Sequence, residues 1–363
     1  MILDPEFFIN FSEKGVFSVE KTILITGGCG FIGSNFIYYM RNTHPEYNLI
    51  NVDCLTYSGN LENLKALGND SHHHFIQGDI TDEKLIAQLF KDNHIEAVVH
   101  FAAETHVDRS ILSAKPFITT NVVGTCVLLE AARHYWSGPL AGESSFRFVH
   151  ISTDEVYGTL GKDGWFTEES PLLPNSPYSA SKTGADLLVR SYFETYGLPV
   201  LLVRPSNNYG PYQFPEKFIP LMITNLMEDE SIPVYGKGEN VRDWVYVTNT
   251  CSAIDLILHK GKPGEAYNVG GESEKRNIDL AREILSLFNK SEKHLTFVKD
   301  RPGHDFRYAL NNDKIKGSLG WNQTLTLQEG IAQTVAWYKE NEWWWKPLKQ
   351  KLSRESKGFW SKE

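Results

Sequence analysis

The chain contains 363 residues, of which 41% are hydrophobic and 22% charged, a composition typical of ordinary globular proteins. Its length is sufficient for two lobes, or for one large domain with a cap. The net charge of −9 gives no support for nucleic-acid binding, which usually requires a basic face, although local cations and helix N-termini can still bind phosphates.

Three features bear on cellular location. The four cysteines are scattered without a CxxC pair, which predicts reduced thiols and neither a disulfide framework nor a zinc site. No apolar run approaches the ~18 residues of a membrane helix. The short apolar run at residues 7–9 follows acidic residues and no basic segment, unlike a signal peptide. We therefore predict a cytoplasmic protein without a membrane partner, and interpret residues 1–20 as a poorly ordered leader.

A strand, a glycine-rich turn and a helix follow the leader. Residues 22–26 are an apolar, β-branched run that predicts a buried strand, and a helical pattern continues to Met40. Gly27, Gly30 and Gly33 lie between them, where glycine permits a tight turn and a close approach to a pyrophosphate. The helix N-terminus adds unpaired N–H groups and a positive dipole end. This context predicts a dinucleotide-binding turn.

A carboxylate follows the second predicted strand, residues 48–52. Asp53 lies ~20 residues beyond Gly33, the position of the ribose-binding acid in dinucleotide folds. Its charge would repel a 2′-phosphate, which favours NAD over NADP; a capping or surface role is the alternative. The next strand and loop, residues 75–80, bring Asp79 towards the adenine side.

Three consecutive histidines, His72, His73 and His74, precede that strand. Consecutive residues of an extended chain cannot all converge on one ion. We therefore interpret them as a solvated loop and predict no metal site.

Further apolar runs alternate with helical patterns. Strands are predicted at residues 97–103, 146–151 and 200–204, with helices near residues 108–131 and around Tyr178. This alternation predicts an α/β fold with an NAD-binding Rossmann-type doubly wound parallel sheet. Ligands of such sheets lie beyond the carboxyl ends of the strands.

Beyond Pro205 the sequence is rich in turn formers, aromatic residues and amides. We predict a smaller, interleaved C-terminal substrate-binding α/β lobe here. The predicted division is a Rossmann domain at 21–205 with 240–262 returning to it, a nucleotide-sugar-binding lobe at 206–239 and 263–340, and a tail at 341–363. The three tryptophans at 343–345 are expected to pack on the body of the protein or on a second subunit.

A hydroxyl, two acids, a tyrosine and a lysine follow the fifth predicted strand. Tyr178 and Lys182 lie four residues apart, hence on one helix face. The ammonium and a positive nicotinamide ring would lower the pKa of the phenol, which could then accept a proton. If the strand continued, the side chains of Thr153, Asp154 and Glu155 would point alternately to the two faces of the sheet. Both acids can therefore reach one ligand only if the chain turns here. The open alternative is that Asp154 caps a helix and Glu155 lies in solvent.

These motifs together resemble the extended short-chain dehydrogenase/reductases, and within them the dTDP-glucose 4,6-dehydratases, over residues 21–340. The segments that carry the resemblance are 26–33, 53–60, 102–110, 152–158, 206–211, 215–217 and 301–305. The Asp154–Glu155 pair is the most specific, because epimerases and decarboxylases of the larger family lack it. Phe306 departs from the pattern, which has a basic residue there.

The resemblance implies an NAD-dependent hydro-lyase that converts dTDP-glucose into dTDP-4-keto-6-deoxyglucose and water. Tyr178 would take the proton of the C4 hydroxyl, with Lys182 lowering its pKa and Thr153 hydrogen-bonded to the same hydroxyl, while hydride passes from C4 to NAD. Glu155 would then remove the C5 proton and Asp154 would protonate the departing C6 hydroxyl. Hydride would return to C6, so NAD should remain tightly bound.

Ligand contacts and assembly are also implied by the resemblance. The cofactor-binding residues would be Gly27, Gly30, Phe31, Ile32, Gly33, Asp53, Leu55, Thr56, Asp79, Ile80, Ala102, Ala103, Thr105, Asn121, Tyr178 and Lys182. The substrate-binding residues would be Thr105, Thr153, Asn207, Lys217, Tyr235, Arg242, Asn277, Arg301 and His304. Among these, a guanidinium such as Arg242 can pair bidentately with a diphosphate. A homodimer would form through the helices near residues 110–130 and 180–197.

Three alternatives stay open. A UDP-sugar 4,6-dehydratase differs only in its base, since thymine and uracil share one hydrogen-bonding edge and a methyl group contributes only ~1–3 kcal/mol. A nucleotide-sugar 4-epimerase would use Tyr178 and Lys182 without the acid pair. A catalytically inactive NAD-binding regulatory protein is the third, against which the acidic charge and the intact Tyr178–Lys182 pair argue.

Overall fold

A computed structural model describes residues 21–138, 145–300 and 303–356 of the protein. The predicted leader, Arg301 and the end of the predicted tail from residue 357 lie outside the described residues. Within the described part, no helix is both long and apolar enough to cross a membrane.

The described chain alternates strands and helices, as the sequence patterns predict. The strands are β1 (Thr22–Thr26), β2 (Asn48–Asp53), β3 (His73–Gln77), β4 (Ile95–His100), β5 (Arg147–Ile151), β6 (Val200–Pro205), β7 (Asn207–Tyr209), β8 (Ile232–Tyr235), β9 (Val241–Tyr246), β10 (Ala266–Val269), β11 (Glu274–Arg276) and β12 (Leu295–Val298). The α-helices are α1 (Phe31–Thr43), α2 (Glu83–Asp92), α3 (Val107–Leu112), α4 (Lys115–Phe117), α5 (Thr125–Trp136), α6 (Pro177–Tyr196), α7 (Phe218–Met227), α8 (Val247–Lys260), α9 (Asn277–Leu287), α10 (Asp313–Leu319), α11 (Leu327–Glu340) and α12 (Glu342–Ser356). A π-helical segment, Ile118–Gly124, joins α4 to α5.

One large parallel sheet organises the described residues. Its seven strands have the order β10-β6-β5-β4-β1-β2-β3. Side chains of β1 alternate between its faces: Ile23 and Ile25 pack in the core that includes α1 and α8, and Leu24 in the core that includes α2, α5 and α6. The strand order reverses between β1 and β4, which leaves a crevice at their carboxyl ends. The predicted Rossmann-type α/β fold is confirmed.

Two small sheets and several helices make up the remainder of the described chain. The sheets have the orders β11-β9-β7 and β12-β8. A common core contains Trp244 of β9, Leu280 of α9 and the fully buried Trp345 of α12. Trp344 donates from Nε1 to Asn63 Oδ1 at 2.8 Å. The described part of the predicted tail therefore packs on the body of the protein.

Three local expectations differ from the structure. His73 and His74 are half-buried in β3 and pair with β2, so the interpretation as a solvated loop is wrong for them. Part of the turn-rich stretch after Pro205 forms β7, which pairs with β9. The strand β10 lies in the large sheet beside β6, although the predicted division puts residues 266–269 in the smaller lobe. All three differences arise from pairing with distant strands; the division otherwise stays a prediction.

Candidate active site

A cleft lies at the carboxyl ends of the central strands, where the sheet order reverses. Most of the predicted site residues line it: Gly27, Gly30, Phe31, Ile32, Gly33, Asp53, Thr56, Asp79, Ile80, Ala102, Ala103, Thr105, Thr153, Asp154, Glu155, Tyr178, Lys182, Asn207 and Lys217. The lining therefore joins the glycine-rich turn, the acid pair, the Tyr–Lys pair and the start of the second lobe.

The glycine-rich turn has room only for glycine at two of its positions. Gly27 has a φ of +72°, and a Cβ there would lie 2.5 Å from the backbone nitrogen of Ala102. A Cβ on Gly33 would lie 2.4 Å from the carbonyl oxygen of Gly27. Gly30 is the N-cap of α1 and supplies no capping side chain. The first N–H groups of α1 consequently face the cleft as an anion site.

Asp53 lies at the end of β2 and is nearly fully buried. Its carboxylate accepts hydrogen bonds from the backbone nitrogens of Cys29 at 2.9 Å and Leu55 at 2.8 Å. Burial raises the pKa of Asp53, and the two hydrogen bonds oppose that rise. Leu55 itself does not line the cleft, and its backbone has a positive φ of 56°. The acid is therefore fixed against the glycine-rich turn.

Asn121 is a predicted cofactor residue that does not line the cleft. It lies in the π-helical segment and is buried. Its side chain accepts from the backbone nitrogen of Glu104 at 2.8 Å, and donates to the Glu104 carbonyl at 3.0 Å and to Ser181 Oγ at 2.8 Å. Asn121 thus holds the loop after β4 against α6. Irregular π-helical turns of this kind often occur at functional sites.

Tyr178 and Lys182 both project from the first turns of α6, whose N-terminus is fixed by the capping residue Ser176. Burial and the nearby Glu155 raise the pKa of Tyr178 well above its usual range, while a hydrogen bond with Thr153 lowers it. Lys182 donates to the carbonyl of Ile151 at 2.8 Å. Burial lowers the pKa of Lys182 to about 8.

The pKa of Tyr178 is raised in the protein without NAD, so the expected lowering of that pKa by Lys182 and the nicotinamide together stays a prediction. The ammonium of Lys182 donates to the backbone carbonyl of Ile151 and lies 3.5 Å from Nε2 of His150. At Tyr178, burial and the negative charge of Glu155 have the largest effects on the pKa of the phenol, and both raise it.

The two acids lie on one turn of 3₁₀ helix, Asp154–Tyr157. Thr153 is the N-cap, because its hydroxyl accepts from the backbone nitrogen of Glu155 at 3.3 Å. The chain therefore turns at this point, and both acids line the cleft. The alternative that Asp154 caps a helix is wrong, since Thr153 has that role.

Asp154 is the more deeply buried acid, with 2% of its surface exposed. Burial, and then the neighbouring Glu155, raise the pKa of Asp154 to about 7. A hydrogen bond from Ser206 Oγ at 2.9 Å and the charge of Arg242 lower it. A carboxyl group tuned in this way can hold a proton near neutral pH and donate it.

Ser206 is a site residue that the sequence patterns do not single out. Besides Asp154, its hydroxyl donates to the backbone carbonyl of Asp243 at 2.7 Å. It begins the stretch of turn formers after β6, and the unusual composition of that stretch is the available signal. Glu104 and Gln213 also line the cleft. Glu104 lies in the segment 102–110 that carries the resemblance, and Gln213 lies between the segments 206–211 and 215–217.

Comparison with known proteins agrees with this geometry. The family model described as GDP-mannose 4,6 dehydratase matches residues 24–334. A dTDP-glucose 4,6-dehydratase of Xanthomonas campestris is 50% identical over 89% of this chain and 94% of its own length. The chain belongs to the dTDP-glucose 4,6-dehydratase family.

Solved structures of the dehydratase family extend the likeness to three dimensions. A dTDP-glucose 4,6-dehydratase of Bacillus anthracis, in complex with NAD, has a TM-score of 0.84 and 48% identity, covering 90% of this chain and 99% of the other. A dTDP-glucose 4,6-dehydratase of Streptomyces venezuelae with NAD bound has a TM-score of 0.85 and 46% identity, with the same coverage.

The other predicted substrate residues of this dehydratase-family chain lie outside the cleft lining. Tyr235 donates to Asp108 Oδ2 at 3.5 Å, and its ring lies 6.1 Å from that of His304. Asn277 begins α9, and its Oδ1 is buried. Arg301 lies outside the described residues.

Arg242 is buried and already has backbone partners. Its guanidinium donates to the carbonyls of Val241 at 2.8 Å and Asp305 at 3.0 Å, and stacks on Tyr308 at 4.4 Å. Phe306, the departure from the family pattern, is 42% exposed on the same loop. Arg242 therefore fixes this loop against β9, and its positive charge lowers the pKa of Asp154.

Proposed function

We propose that the protein converts dTDP-glucose into dTDP-4-keto-6-deoxyglucose and water. The observation that carries this proposal is the pair Asp154 and Glu155 on one 3₁₀ turn, in the same cleft as Tyr178. Oxidation at C4 needs a single protein base, Tyr178, besides a hydride acceptor, whereas elimination of water across C5 and C6 needs a further base and an acid. The solved relatives with NAD bound support the cofactor assignment.

The residues of the cleft fit NAD. Gly27 and Gly33 leave no space for side chains where the pyrophosphate would approach α1, and Asp53 would accept hydrogen bonds from the ribose. When bound, NAD supplies a hydride acceptor that regains its original state at the end of each turnover. Ala102, Ala103 and the other predicted cofactor residues would complete the binding surface.

Tyr178 would act as the base for the C4 hydroxyl. Its pKa is high in the protein, so the tyrosine needs cationic neighbours to ionise. We assign this effect to the nicotinamide and to Lys182, whose ammonium would also bind the nicotinamide ribose. Thr153 already shares a hydrogen bond with Tyr178 and would orient the substrate hydroxyl between them.

The two acids would divide the elimination between them. A ketone at C4 acidifies the proton on C5, which Glu155 would remove. Asp154, with a pKa of about 7, would be protonated in a large fraction of molecules near neutral pH and would protonate the departing C6 hydroxyl. Where the surroundings of two carboxyl groups push their pKa values apart, the group with the raised pKa typically acts as the acid and the other as the base.

Substrate recognition would use the second lobe. Asn207 and Lys217 line the cleft. Tyr235 at the end of β8, Asn277 at the start of α9, Arg301 and His304 would contact the nucleotide as well. Arg242 would reach the diphosphate only if the loop that accepts its hydrogen bonds shifts.

The proposals for the assembly and the cellular location of the protein keep the expectations from the sequence and the family resemblance. Apolar side chains are exposed on the helices expected at a dimer interface, with exposed fractions of 66% for Leu112, 48% for Val123 and 54% for Leu187. Burying them in a symmetric homodimer would remove this apolar surface from water. We propose a cytoplasmic homodimer that does not bind nucleic acid.

A panel of nucleotide sugars tests the proposal. Turnover should be highest with dTDP-glucose and lower with UDP-glucose and GDP-mannose, without added reductant. The variants Asp154→Asn and Glu155→Gln should each lose 4-keto-6-deoxy product by roughly 10²–10⁴-fold. If both variants turn over normally, or if the product is a 4-epimer, dehydration is the wrong assignment.

A further inference from the structure

Three metal-ligating side chains converge outside the active-site cleft. His44 follows the last residue of α1, and Asp255 and His259 lie one turn apart on α8. The two helices pack on the same face of the large sheet. None of the three side chains lines the cleft, and the proposed dehydration uses none of them.

The candidate ligand atoms are close enough to share one ion. Nε2 of His44 lies 3.0 Å from Oδ1 of Asp255, and Nδ1 of His259 lies 2.9 Å from the same oxygen. All three ligand atoms lie within 4.8 Å of one another. In a tetrahedral zinc site each ligand atom lies ~2 Å from the metal, so two ligand atoms lie ~3.3 Å apart. The two contacts to Oδ1 of Asp255 are near this distance, and the two histidine nitrogens must lie within ~4 Å of each other to share the ion.

Each of the three side chains also has a second partner that fixes its orientation. Nε2 of His259 is 2.9 Å from the hydroxyl of Tyr47, and Nδ1 lies 2.9 Å from both the backbone carbonyl and Oδ1 of Asp255. The hydroxyl of Tyr39 donates to Oδ2 of Asp255 at 3.3 Å. The ring of His44 stacks on Tyr47 with centroids 4.7 Å apart. Outer partners of this kind characterise metal-ligating histidines and carboxylates.

We propose that His44, Asp255 and His259 form a site for a divalent zinc-like cation. Two imidazoles and one carboxylate suit Zn²⁺ better than Ca²⁺ or Mg²⁺, which prefer oxygen ligands. Side-chain exposures of 22%, 14% and 26% leave the fourth position to solvent. The ion would join the end of α1, the helix of the dinucleotide-binding turn, to α8.

The same contacts could instead be a metal-free hydrogen-bonded cluster. In that case a proton lies between Asp255 and each histidine, and the arrangement has no preference for a metal. The hydrogen bond that His259 donates to the Asp255 carboxylate raises the pKa of His259, which is compatible with that alternative. Metal binding by the purified protein therefore distinguishes the two.

The experiment uses the whole protein after removal of metals with EDTA. Zn²⁺ is titrated by calorimetry at a pH above the histidine range, and Co²⁺ is added separately to record its visible spectrum. We expect one Zn²⁺ per chain, a four-coordinate Co²⁺ spectrum, and a higher Tm with Zn²⁺ because the ion binds the folded state. His44→Gln and Asp255→Asn should each abolish all three signals. His94→Gln, at an exposed histidine elsewhere on the surface, should retain them.

A far-UV circular dichroism spectrum like that of the wild type shows that the variants are folded, and keeps this test independent of the proposed function. Wild-type protein that binds no Zn²⁺, or variants that bind it as the wild type does, would overturn the proposal. If a variant does not fold, the wild-type Co²⁺ spectrum decides: a spectrum like that of aqueous Co²⁺ rejects the site.

Discussion

Replacement of Asp154 by asparagine should abolish turnover and yet stabilise the protein at alkaline pH. The carboxyl group is buried, and its pKa is raised from 3.8 to about 7, first by burial and then by Glu155. Ionisation of Asp154 therefore opposes folding. Asparagine has a similar shape and no charge. Its amide can donate to Ser206 Oγ, which would still donate to the carbonyl of Asp243.

The magnitude follows from the difference between the folded and unfolded pKa. Between pH 3.8 and pH 7 the folded state binds more protons than the unfolded state, so its stability falls as the pH rises through this range. Each unit of pKa difference corresponds to ~1.36 kcal/mol, which gives an upper limit of about 4 kcal/mol above pH 7. Between about pH 5.5 and about pH 8.5, the stability advantage of Asp154→Asn should grow by about 2 kcal/mol.

The assay is urea unfolding at both pH values with equal NAD concentrations. Asp163→Asn, at an exposed carboxylate, is the matched control and should show no such growth. A stability difference for Asp154→Asn that does not change with pH, or a loss of stability at the higher pH, would refute the reasoning. Turnover of the variant should fall by roughly 10²–10⁴-fold, as expected for loss of a general acid.

Two further substitutions test contacts around the cleft. Ser206→Ala removes a hydrogen bond that is donated to Asp154, so the pKa of Asp154 should rise. A hydrogen bond to a charged group contributes ~1.5–3 kcal/mol. The Ser206 hydroxyl divides its donation between Asp154 and the carbonyl of Asp243. The alkaline limit of turnover should move up by about one pH unit, and an unchanged or lower limit would contradict the role given to this serine. Trp344→Phe leaves the amide oxygen of Asn63 without its donor, and Asn63 holds the glycine-rich turn by donating to the carbonyl of Cys29 at 2.9 Å. NAD should dissociate from this variant up to ~10-fold faster than from the wild type. The control is Trp343→Phe, at an exposed ring, from which NAD should dissociate at the wild-type rate. Equal rates in both variants would show that α12 does not support the turn.

The parts of the fold that the sequence predicts depend on local patterns. The run at residues 22–26, followed by glycines and a helical pattern, is a complete strand–turn–helix unit. The structure forms this unit, and its helix continues past Met40 to Thr43. Asp53 was located by its distance along the chain from Gly33, because β2 and α1 have standard lengths. Tyr178 and Lys182 share a helix face for a similarly local reason.

The parts that the sequence does not predict depend on contacts between distant segments. The position of β10 in the large sheet is decided by pairing with β6, more than sixty residues earlier. Spacing alone left the orientation of Asp154 and Glu155 open, because a strand and a 3₁₀ turn were both compatible with the residues. The cluster of His44, Asp255 and His259 joins two helices separated by more than two hundred residues, so no local motif marks it.

The central claim is that one cleft oxidises C4, eliminates water across C5 and C6, and returns the same hydrogen to C6. The direct measurement uses dTDP-glucose with deuterium at C4 and determines the position of deuterium in the product by NMR. The account predicts that deuterium moves to C6 within the same molecule. Loss of deuterium to water, or its return to C4 in an epimerised sugar, would contradict it.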